Sequence, residues 1–253
     1  MPRRILITGA TGNQGGSVAR LLLQSPSDFT VRALTRNPNS EAAKALKEAG
    51  AEVVKGDLTD RNSLGAAFNG CWGAFVATNF YDSTITNDPA SEETQGRHAA
   101  HAALQAGVEC FVWSTLPSSL EISKGKVLCE IYEGKHRVDS YIQEIGLPAA
   151  FVFTGNFYEN QVFRSHVVEY DDHIEFKQPI IKGDVKLHML WVERDLAAIV
   201  KAILTRWETT REELLYQHLY AMDAVRTPHE ICAIIEQGSN FPPTSEQTKH
   251  EDC

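Results

Sequence analysis

Three glycines near the start of the chain have the spacing of a phosphate-binding turn. Gly9, Gly12 and Gly15 lie between a short apolar run and an amphipathic stretch at residues 14–24. The first glycine lets the chain turn away from a strand, the second lets a pyrophosphate approach the backbone, and the third lets a helix pack closely on the strand. The helix N-terminus then presents free N–H groups to the anion. The pattern favours a dinucleotide-binding turn over a strand–turn–helix without a ligand.

An arginine after the second predicted strand bears on which dinucleotide is bound. Residues 29–34 form an apolar run, and Thr35 and Arg36 follow it at the position where an acidic residue would bind the ribose 2′-hydroxyl of NAD. A guanidinium suits the 2′-phosphate of NADP instead, because it can donate two parallel hydrogen bonds. Thr35 would add a hydroxyl, and Lys44 lies one turn further along. The sequence therefore favours NADP(H), with a solvated surface charge as the alternative reading of Arg36.

The elements that must position these residues alternate along the first 154 residues. Six strands are predicted at residues 4–8, 29–34, 51–55, 73–78, 108–114 and 149–154. Helices are predicted between them at residues 14–24, 41–49, 61–69, 91–105 and 126–145, with Ser40 and Asp60 as N-caps. This alternation predicts an α/β fold, a Rossmann-type doubly wound parallel sheet. The ligand would lie beyond the carboxyl ends of its strands.

The regular alternation of predicted strands and helices ends after residue 155. Shorter segments are predicted at residues 156–166, 174–176 and 185–187, followed by helices at residues 193–205 and 227–235. We therefore predict an NAD(P)-binding Rossmann domain over residues 1–155 and a small α+β C-terminal lobe over residues 156–237. The lobe would pack over the strand ends. Residues 238–253 are polar and predict a disordered tail.

Composition narrows the class of protein. Among 253 residues, 24 Lys and Arg against 33 Asp and Glu give a net charge of −9, which argues against direct nucleic-acid binding. There is no apolar run of membrane-span length and no pattern typical of a secretory signal. Five scattered cysteines without a C-x-x-C pair indicate reduced thiols. We expect a cytoplasmic protein, with the nucleus as a second location, and no membrane association.

No metal site is expected from the sequence. The nine histidines show no ligand spacing with cysteine or carboxylate residues. His98 and His101 share a helix face, but no third ligand is evident. We interpret both as surface or cofactor-cleft residues.

Five motifs in this order resemble the NmrA-like family of atypical short-chain dehydrogenase/reductase relatives. They are TGATGNQGGSVAR at residues 8–20, TRNP at 35–38, GD at 56–57, ATNF at 77–80 and GNFYEN at 155–160. The resemblance runs from residue 3 to about residue 237. The family includes a fungal regulator of nitrogen-metabolite repression and a human redox sensor, and the resemblance implies a Rossmann domain that prefers NADP(H).

The resemblance also implies a set of cofactor contacts. The glycine turn would hold the pyrophosphate, Arg36 the 2′-phosphate, and the remaining residues the adenine or the nicotinamide end. The implied residues are Gly9, Thr11, Gly12, Asn13, Gln14, Gly15, Arg36, Asp57, Leu58, Thr78, Asn79, Phe80, Lys135, Asn156, Phe157 and Tyr158. Asn39, Ser40 and Glu41 stand where relatives with a second basic residue would hold the phosphate twice. Because these residues are not basic, we expect this chain to prefer NADP over NAD less strongly than such relatives do.

Ser114, Tyr132 and Lys135 are the candidate catalytic residues. Dehydrogenases of the wider superfamily pair an acidic tyrosine with a lysine one helical turn later, so that the lysine lowers the pKa of the tyrosine. Ile131 stands four residues before Lys135, and Tyr132 stands three before it. Ser114 ends the fifth predicted strand, where a catalytic serine would lie, or else it only satisfies local backbone groups.

Two functions from different classes remain open. The missing tyrosine–lysine pair favours a redox-sensing regulator, in which NADP(H) changes the affinity for a protein partner such as a transcription factor. An acidic surface would suit a basic partner protein. The alternative is an NADPH-dependent reductase acting on a small carbonyl or enone substrate, with Lys135 or Tyr132 as the proton donor.

Overall fold

The structure, a computed structural model, describes residues 1–160, 167–170, 174–176 and 182–238. It divides into two compact units. The first unit comprises Met1–Thr154 and Val192–Ala221, and the second comprises Gly155–Trp191 and the chain from Met222 onward. The predicted tail beyond residue 238, and residues 161–166 of the segment predicted at 156–166, lie outside the described residues.

The first unit is built on a seven-stranded parallel sheet. Its strands are β1 (Arg3–Ile7), β2 (Phe29–Thr35), β3 (Glu52–Lys55), β4 (Gly73–Val76), β5 (Cys110–Thr115), β6 (Ala149–Thr154) and β11 (His218–Ala221). They lie in the order β3-β2-β1-β4-β5-β6-β11. Successive strands are added on one side of β1 up to β3 and on the other side from β4 onward, so the strand order reverses between β1 and β4. The predicted Rossmann-type fold is confirmed, with one strand more than expected.

Helices cover both faces of this sheet. They are α1 (Asn13–Leu23), α2 (Glu41–Glu48), α3 (Arg61–Phe68), α4 (Ser83–Thr86), α5 (Ala90–Gln105), α6 (Ser119–Ile122), α7 (Glu130–Glu144) and α8 (Ala197–Leu214). A π-helical turn, Val192–Leu196, leads into α8. The predicted caps are confirmed, since Ser40 accepts a hydrogen bond from Ala43 N and Asp60 accepts one from Asn62 N. The short helices α4 and α6 lie in segments predicted as loops.

Close helix packing fills the core of the first unit. Helix α5 contacts both α3 and α7, and α1 contacts α8. Gly96 permits the approach of α5 to α7, because a Cβ atom there would lie 2.6 Å from Val138 Cγ2. Trp113 and Phe151 of the sheet are fully buried in the same cluster as Val138. Ala99, Ala102 and Ala103 of α5 are buried in this cluster as well.

The second unit is a small α+β arrangement. Its strands are β7 (Asn156–Phe157), β8 (Val167–Glu169), β9 (Ile174–Phe176), β10 (Leu187–Leu190) and β12 (Ala224–Arg226), and its helix is α9 (Pro228–Gly238). Strand β10 pairs with β12 and β7, and β8 pairs with β9. The units differ from the predicted division at residue 155, because residues 192–221 return to the first unit as α8 and the edge strand β11.

Membrane insertion of a helix finds no support in the structure. Within the described ranges, no helix is both long enough and apolar enough to cross a lipid bilayer.

Candidate functional site

The glycine turn has the geometry of an anion cradle. Gly9 has a φ of +56°, and Gly12 N donates a hydrogen bond to Gly9 O over 2.8 Å. A Cβ atom on Gly15 would overlap Thr8 O and lie 2.6 Å from Gly9 O, so only glycine lets α1 begin this close to β1. Gly12 is the N-cap of α1 and no side chain caps the helix. The first turn of α1 therefore keeps backbone N–H groups for an anion.

Side-chain hydrogen bonds join the strand ends around this turn. Thr8 Oγ1 accepts from Ala77 N over 2.9 Å and donates to Ala77 O over 3.1 Å, which connects β1 to the segment after β4. Ser114 Oγ donates to Gln14 Oε1 over 2.7 Å, which connects β5 to α1. Ser114 is buried and already bonded to another predicted site residue, so its direct role in chemistry stays a prediction.

Arg36 lines a pocket at the carboxyl ends of β2 and β3. The pocket has a volume of about 300 Å³ and is lined by Arg36, Lys55, Gly56, Asp57, Asp60 and Ser63. Ser63 Oγ accepts from Asp57 N over 3.0 Å and donates to Asp60 O over 2.7 Å, which shapes the wall. Leu58, next to this wall, binds His98 Nδ1 through its carbonyl oxygen over 2.9 Å. The structure thus places Arg36 and Asp57 in the lining of one pocket, and their contacts with a cofactor stay a prediction.

An acidic residue that sequence reasoning missed holds Arg36. Asp82 Oδ2 lies 2.7 Å from Arg36 Nη2, and Asp82 Oδ1 accepts from the backbone N of Thr84 over 3.1 Å. The hydrogen bond from Arg36 is the main reason that the pKa of Asp82 is lowered to about 2. Asp82 is the N-cap of α4. In the sequence, an aspartate before a helix indicates this capping role and does not indicate a contact with Arg36. A 2′-phosphate on Arg36 would have to compete with this carboxylate.

Lys135 lies in a buried network with Thr78 and Glu92. Lys135 Nζ is 2.6 Å from Thr78 Oγ1 and 2.6 Å from Glu92 Oε1. Thr78 Oγ1 donates to the same carboxylate oxygen over 2.7 Å. Glu92 is fully buried and was missed, because a glutamate in the first turn of a helix normally only complements the helix dipole. Contact of Lys135 with a ribose stays a prediction.

Tyr132 lies on the more exposed side of α7. Its side chain is partly exposed, and burial of the remainder raises the pKa of its phenol. A catalytic tyrosine of the usual kind has its pKa lowered by a neighbouring lysine. Here the ammonium group of Lys135 is bound to Thr78 and Glu92 instead. Tyr132 is thus a neutral phenol that could donate a proton, without the usual activation.

The residues expected at the nicotinamide end fall into both units. In the first unit, Asn79 Oδ1 accepts from Tyr81 N over 3.3 Å, and the Phe80 ring packs edge-on against Tyr81. In the second unit, Asn156 and Phe157 form β7, and Tyr158 N donates to Leu190 O over 3.0 Å. The predicted placement of residues 156–158 over the nicotinamide stays a prediction.

One group of side chains, which spacing in the sequence did not indicate, has the composition of a metal site, and the expectation of no metal site stays untested. His136, Asp139 and His218 bring three possible ligand atoms within 4.8 Å of one another. The first two lie one turn apart on α7, and the third comes from β11. Spacing along the chain could not reveal this group, because the third member is distant in sequence.

Solved structures share this fold. NmrA, described as a negative transcriptional regulator and solved with NAD, is 21% identical, with a TM-score of 0.80 over 95% of this chain and 72% of that chain. The triphenylmethane reductase of Citrobacter sp., solved with NADP(H), is 22% identical, with a TM-score of 0.68 over 94% of this chain and 76% of that chain. At these identities the likeness concerns the fold alone.

Sequence comparison identifies the family. The NmrA-like family domain-containing oxidoreductase hkm9 of Aspergillus hancockii is 36% identical over 219 residues, which are 81% of this chain. The chain spans 65% of the length of that relative. The sequence model of the NmrA-like family matches residues 1–251. Together with the parallel sheet and the glycine turn, this match shows that the chain belongs to the NmrA-like family.

Proposed function

We propose that the chain binds NADP(H) in its first unit and acts as an NADPH-dependent oxidoreductase. The observation that carries the proposal is the placement of the glycine turn and Arg36 at the carboxyl ends of β1 and β2, which pair directly. The turn offers N–H groups for the pyrophosphate, and Arg36 offers a guanidinium for the 2′-phosphate. The oxidoreductase name of the fungal relative supports the redox role.

Titration of the full chain with NAD, NADH, NADP and NADPH tests the cofactor. Arg36→Ala removes a charged hydrogen-bond donor worth about 1.5–3 kcal/mol, so NADP(H) affinity should fall about 10- to 150-fold. NAD(H) affinity should stay within a factor of about two, because NAD lacks the 2′-phosphate. Equal losses for both nucleotides would contradict the assignment of Arg36. Tight NADP(H) binding that does not change in the variant would contradict it as well.

A small carbonyl or enone is the proposed substrate class. Hydride would pass from NADPH to the electrophilic carbon, leaving NADP⁺, and a proton would go to the carbonyl oxygen or to the α-carbon of the enolate. An enone suits this site better, since the enolate can take its proton from water and needs no positioned acid. For a simple carbonyl, Tyr132 is the better donor, because Lys135 Nζ is buried against Glu92.

A panel of enones and carbonyls with NADPH tests the reaction. Tyr132→Phe should leave enone turnover almost unchanged, and it should slow carbonyl reduction about 100-fold or more if the phenol supplies the proton. Lack of turnover on the whole panel, with NADP(H) binding intact, would contradict the reductase proposal.

A redox-sensing regulator is the second candidate. Ile131 stands where the catalytic tyrosine would be, and Lys135 is already bound within the protein. In this case NADP(H) would shift a conformational equilibrium and change the affinity for a basic protein partner such as a transcription factor. Such a protein would act in the cytoplasm or the nucleus. The regulator description of the NmrA structure is in line with this candidate.

The two candidates predict different results. A regulator gives no turnover, and its affinity for the partner changes with the NADPH to NADP⁺ ratio. A yeast two-hybrid screen followed by a titration at fixed NADPH or NADP⁺ would measure this coupling. Equal partner affinity with both nucleotides would contradict the regulator.

A further inference from the structure

A cluster of two histidines and one aspartate lies on the sheet edge formed by β11. His218 Nε2 is 2.9 Å from Asp139 Oδ2, and His136 Nδ1 is 3.6 Å from the same oxygen. His218 packs on Phe151 and Phe153, with ring centroids 4.9 Å and 4.5 Å away. None of these residues takes part in the proposed cofactor site.

One buried ring nitrogen of this cluster, His136 Nδ1, makes no hydrogen bond to the residues that the structure describes. Asp139, beside it, bonds to His218 and lies against Thr115. Buried nitrogen atoms are almost always paired in proteins, so the unpaired ring nitrogen calls for an explanation. A cation bound between the ring and Asp139 Oδ2 would supply the interaction that His136 Nδ1 lacks, next to a carboxylate that is 3% exposed.

Two of the three donor separations match those around a tetrahedral metal ion. Metal–nitrogen and metal–oxygen bonds of about 2.0–2.1 Å place neighbouring ligand atoms about 3.3 Å apart. The separations of Asp139 Oδ2 from His218 Nε2 and His136 Nδ1, 2.9 Å and 3.6 Å, lie on either side of that value, and all three donor atoms lie within 4.8 Å of one another. The side chains of His136 and His218 are 20% and 31% exposed, which leaves a route from solvent and room for a fourth ligand.

A carboxylate lies near the other side of the His136 ring. Its other ring nitrogen, Nε2, lies 3.8 Å from Glu121 Oε1, beyond hydrogen-bond distance, and Glu121 is 77% exposed. Metal-bound histidines commonly donate their second N–H group to a carboxylate, so Glu121 would have to move closer to orient the ring in this way. Two imidazoles and one carboxylate suit zinc and neighbouring first-row metals, whereas magnesium and calcium prefer oxygen ligands alone.

We propose that His136, Asp139 and His218 form a binding site for a divalent first-row transition-metal ion, with zinc as the best match. The ion would replace the His218–Asp139 hydrogen bond by three metal–ligand bonds. It would thereby connect the edge strand β11 to α7. Because Lys135 precedes His136 on α7, the ion would also hold the helix that carries a predicted cofactor contact.

Calorimetric titration of the chelator-treated full chain with ZnCl₂ tests the site. We expect one zinc ion per chain, and a rise in the thermal midpoint of about 5–10 °C at 100 times the Kd. His136→Ala and Asp139→Asn should each weaken binding by more than the roughly 10- to 100-fold that loss of an outer-shell partner costs. Glu121→Gln, which changes a residue beyond hydrogen-bond distance of the ring, should weaken it by no more than about tenfold, the lower end of that range. His101→Ala, on another helix, is the matched control and should bind zinc as the wild type does.

Cobalt distinguishes this site from adventitious binding to cysteines. Co²⁺ should give a tetrahedral visible spectrum without thiolate charge-transfer bands, because the donor set is two nitrogens and one oxygen. Circular dichroism and cooperative urea unfolding verify that each variant is folded. Absence of zinc binding by the wild type would overturn the proposal, as would equal binding by folded His136→Ala and Asp139→Asn variants or a thiolate spectrum.

Discussion

At the scale of single residues, an ion pair with Asp82 holds the guanidinium of Arg36. Sequence reasoning gave Arg36 a phosphate-binding role, and the structure shows that the guanidinium already has an anionic partner. Arg36 is 59% exposed and Asp82 is 15% exposed, so solvent screens the pair only in part. A phosphate and a carboxylate would therefore compete for one cation.

We predict that Asp82→Asn raises NADP affinity about two- to fivefold, because an exposed ion pair is worth about 0.2–1 kcal/mol and its loss frees Arg36. NAD affinity should not change. Asparagine caps helices as well as aspartate does, so α4 should persist. Fluorescence titration with both nucleotides gives the two constants, and Asp88→Asn, an exposed neighbour, controls for net charge. Equal gains for NAD and NADP would show that Asp82 acts through the overall electrostatic field of the protein and not through Arg36.

Gly15 and Gly65 provide a matched pair of glycine substitutions. A Cβ atom on Gly15 would meet backbone atoms of Thr8 and Gly9, whereas one on Gly65 in α3 would meet nothing within 4 Å. Gly15→Ala should destabilise the protein by about 1–3 kcal/mol through overpacking and should weaken nucleotide binding. Gly65→Ala should stabilise it by about 0.5–1 kcal/mol through helix propensity. Urea unfolding measures both, and similar effects at both positions would contradict the close packing at the turn.

At the scale of elements, the Lys135–Glu92 ion pair fastens α7 to α5. The pair is buried, and the 2.6 Å contact is shared with Thr78 after β4. A loss of activity in Lys135→Ala therefore has two possible causes, the loss of a cofactor contact or the damage done by leaving Glu92 charged and alone.

We predict that Lys135→Met and Glu92→Gln each cost about 3–5 kcal/mol of stability, because each leaves a buried polar group without its partner. The double variant should be less destabilised than the sum of the two, by about 1–3 kcal/mol. A double-mutant cycle in urea measures this coupling. Additive single effects would mean that the two residues act independently.

At the scale of the whole molecule, a later part of the chain completes the first unit. Residues 155–191 belong to the second unit, and residues 192–221 then return to the first. Residues 192–221 add α8 and β11, and they bury Leu196, Val200, Leu204 and Trp207. Burial of a large apolar side chain is worth about 1.5–3 kcal/mol, so these side chains together match much of a typical unfolding free energy of about 5–15 kcal/mol.

We therefore predict that residues 1–155 alone do not fold, because the fragment leaves β6 as an open edge and uncovers the face of α1 that contacts α8. The fragment should be insoluble, or should unfold without a cooperative transition, whereas the full chain should unfold cooperatively. Urea unfolding followed by circular dichroism compares the two. A fragment with a sharp transition would show that the division predicted at residue 155 marks an independent domain.

Much of the fold could be predicted because its signals are local. The alternation of apolar runs and helical patterns indicated the parallel sheet, and single polar residues such as Ser40 and Asp60 marked helix starts. Strand β11 escaped prediction because four residues at a sheet edge carry little pattern of their own. The helix predicted at residues 126–145 begins four residues later, at Glu130, because Cys129 before it has an extended backbone conformation.

The sequence by itself determined the glycine turn, its position after β1 and the presence of Arg36, since these depend on the backbone freedom and charge of residues close together in the chain. Only the tertiary structure decided that Asp82 holds Arg36, that Glu92 holds Lys135, and that His218 joins two side chains of α7. The physical reason is that each of these contacts joins residues more than 40 positions apart. Their strength depends on burial and distance, and the folding of the whole sheet sets both.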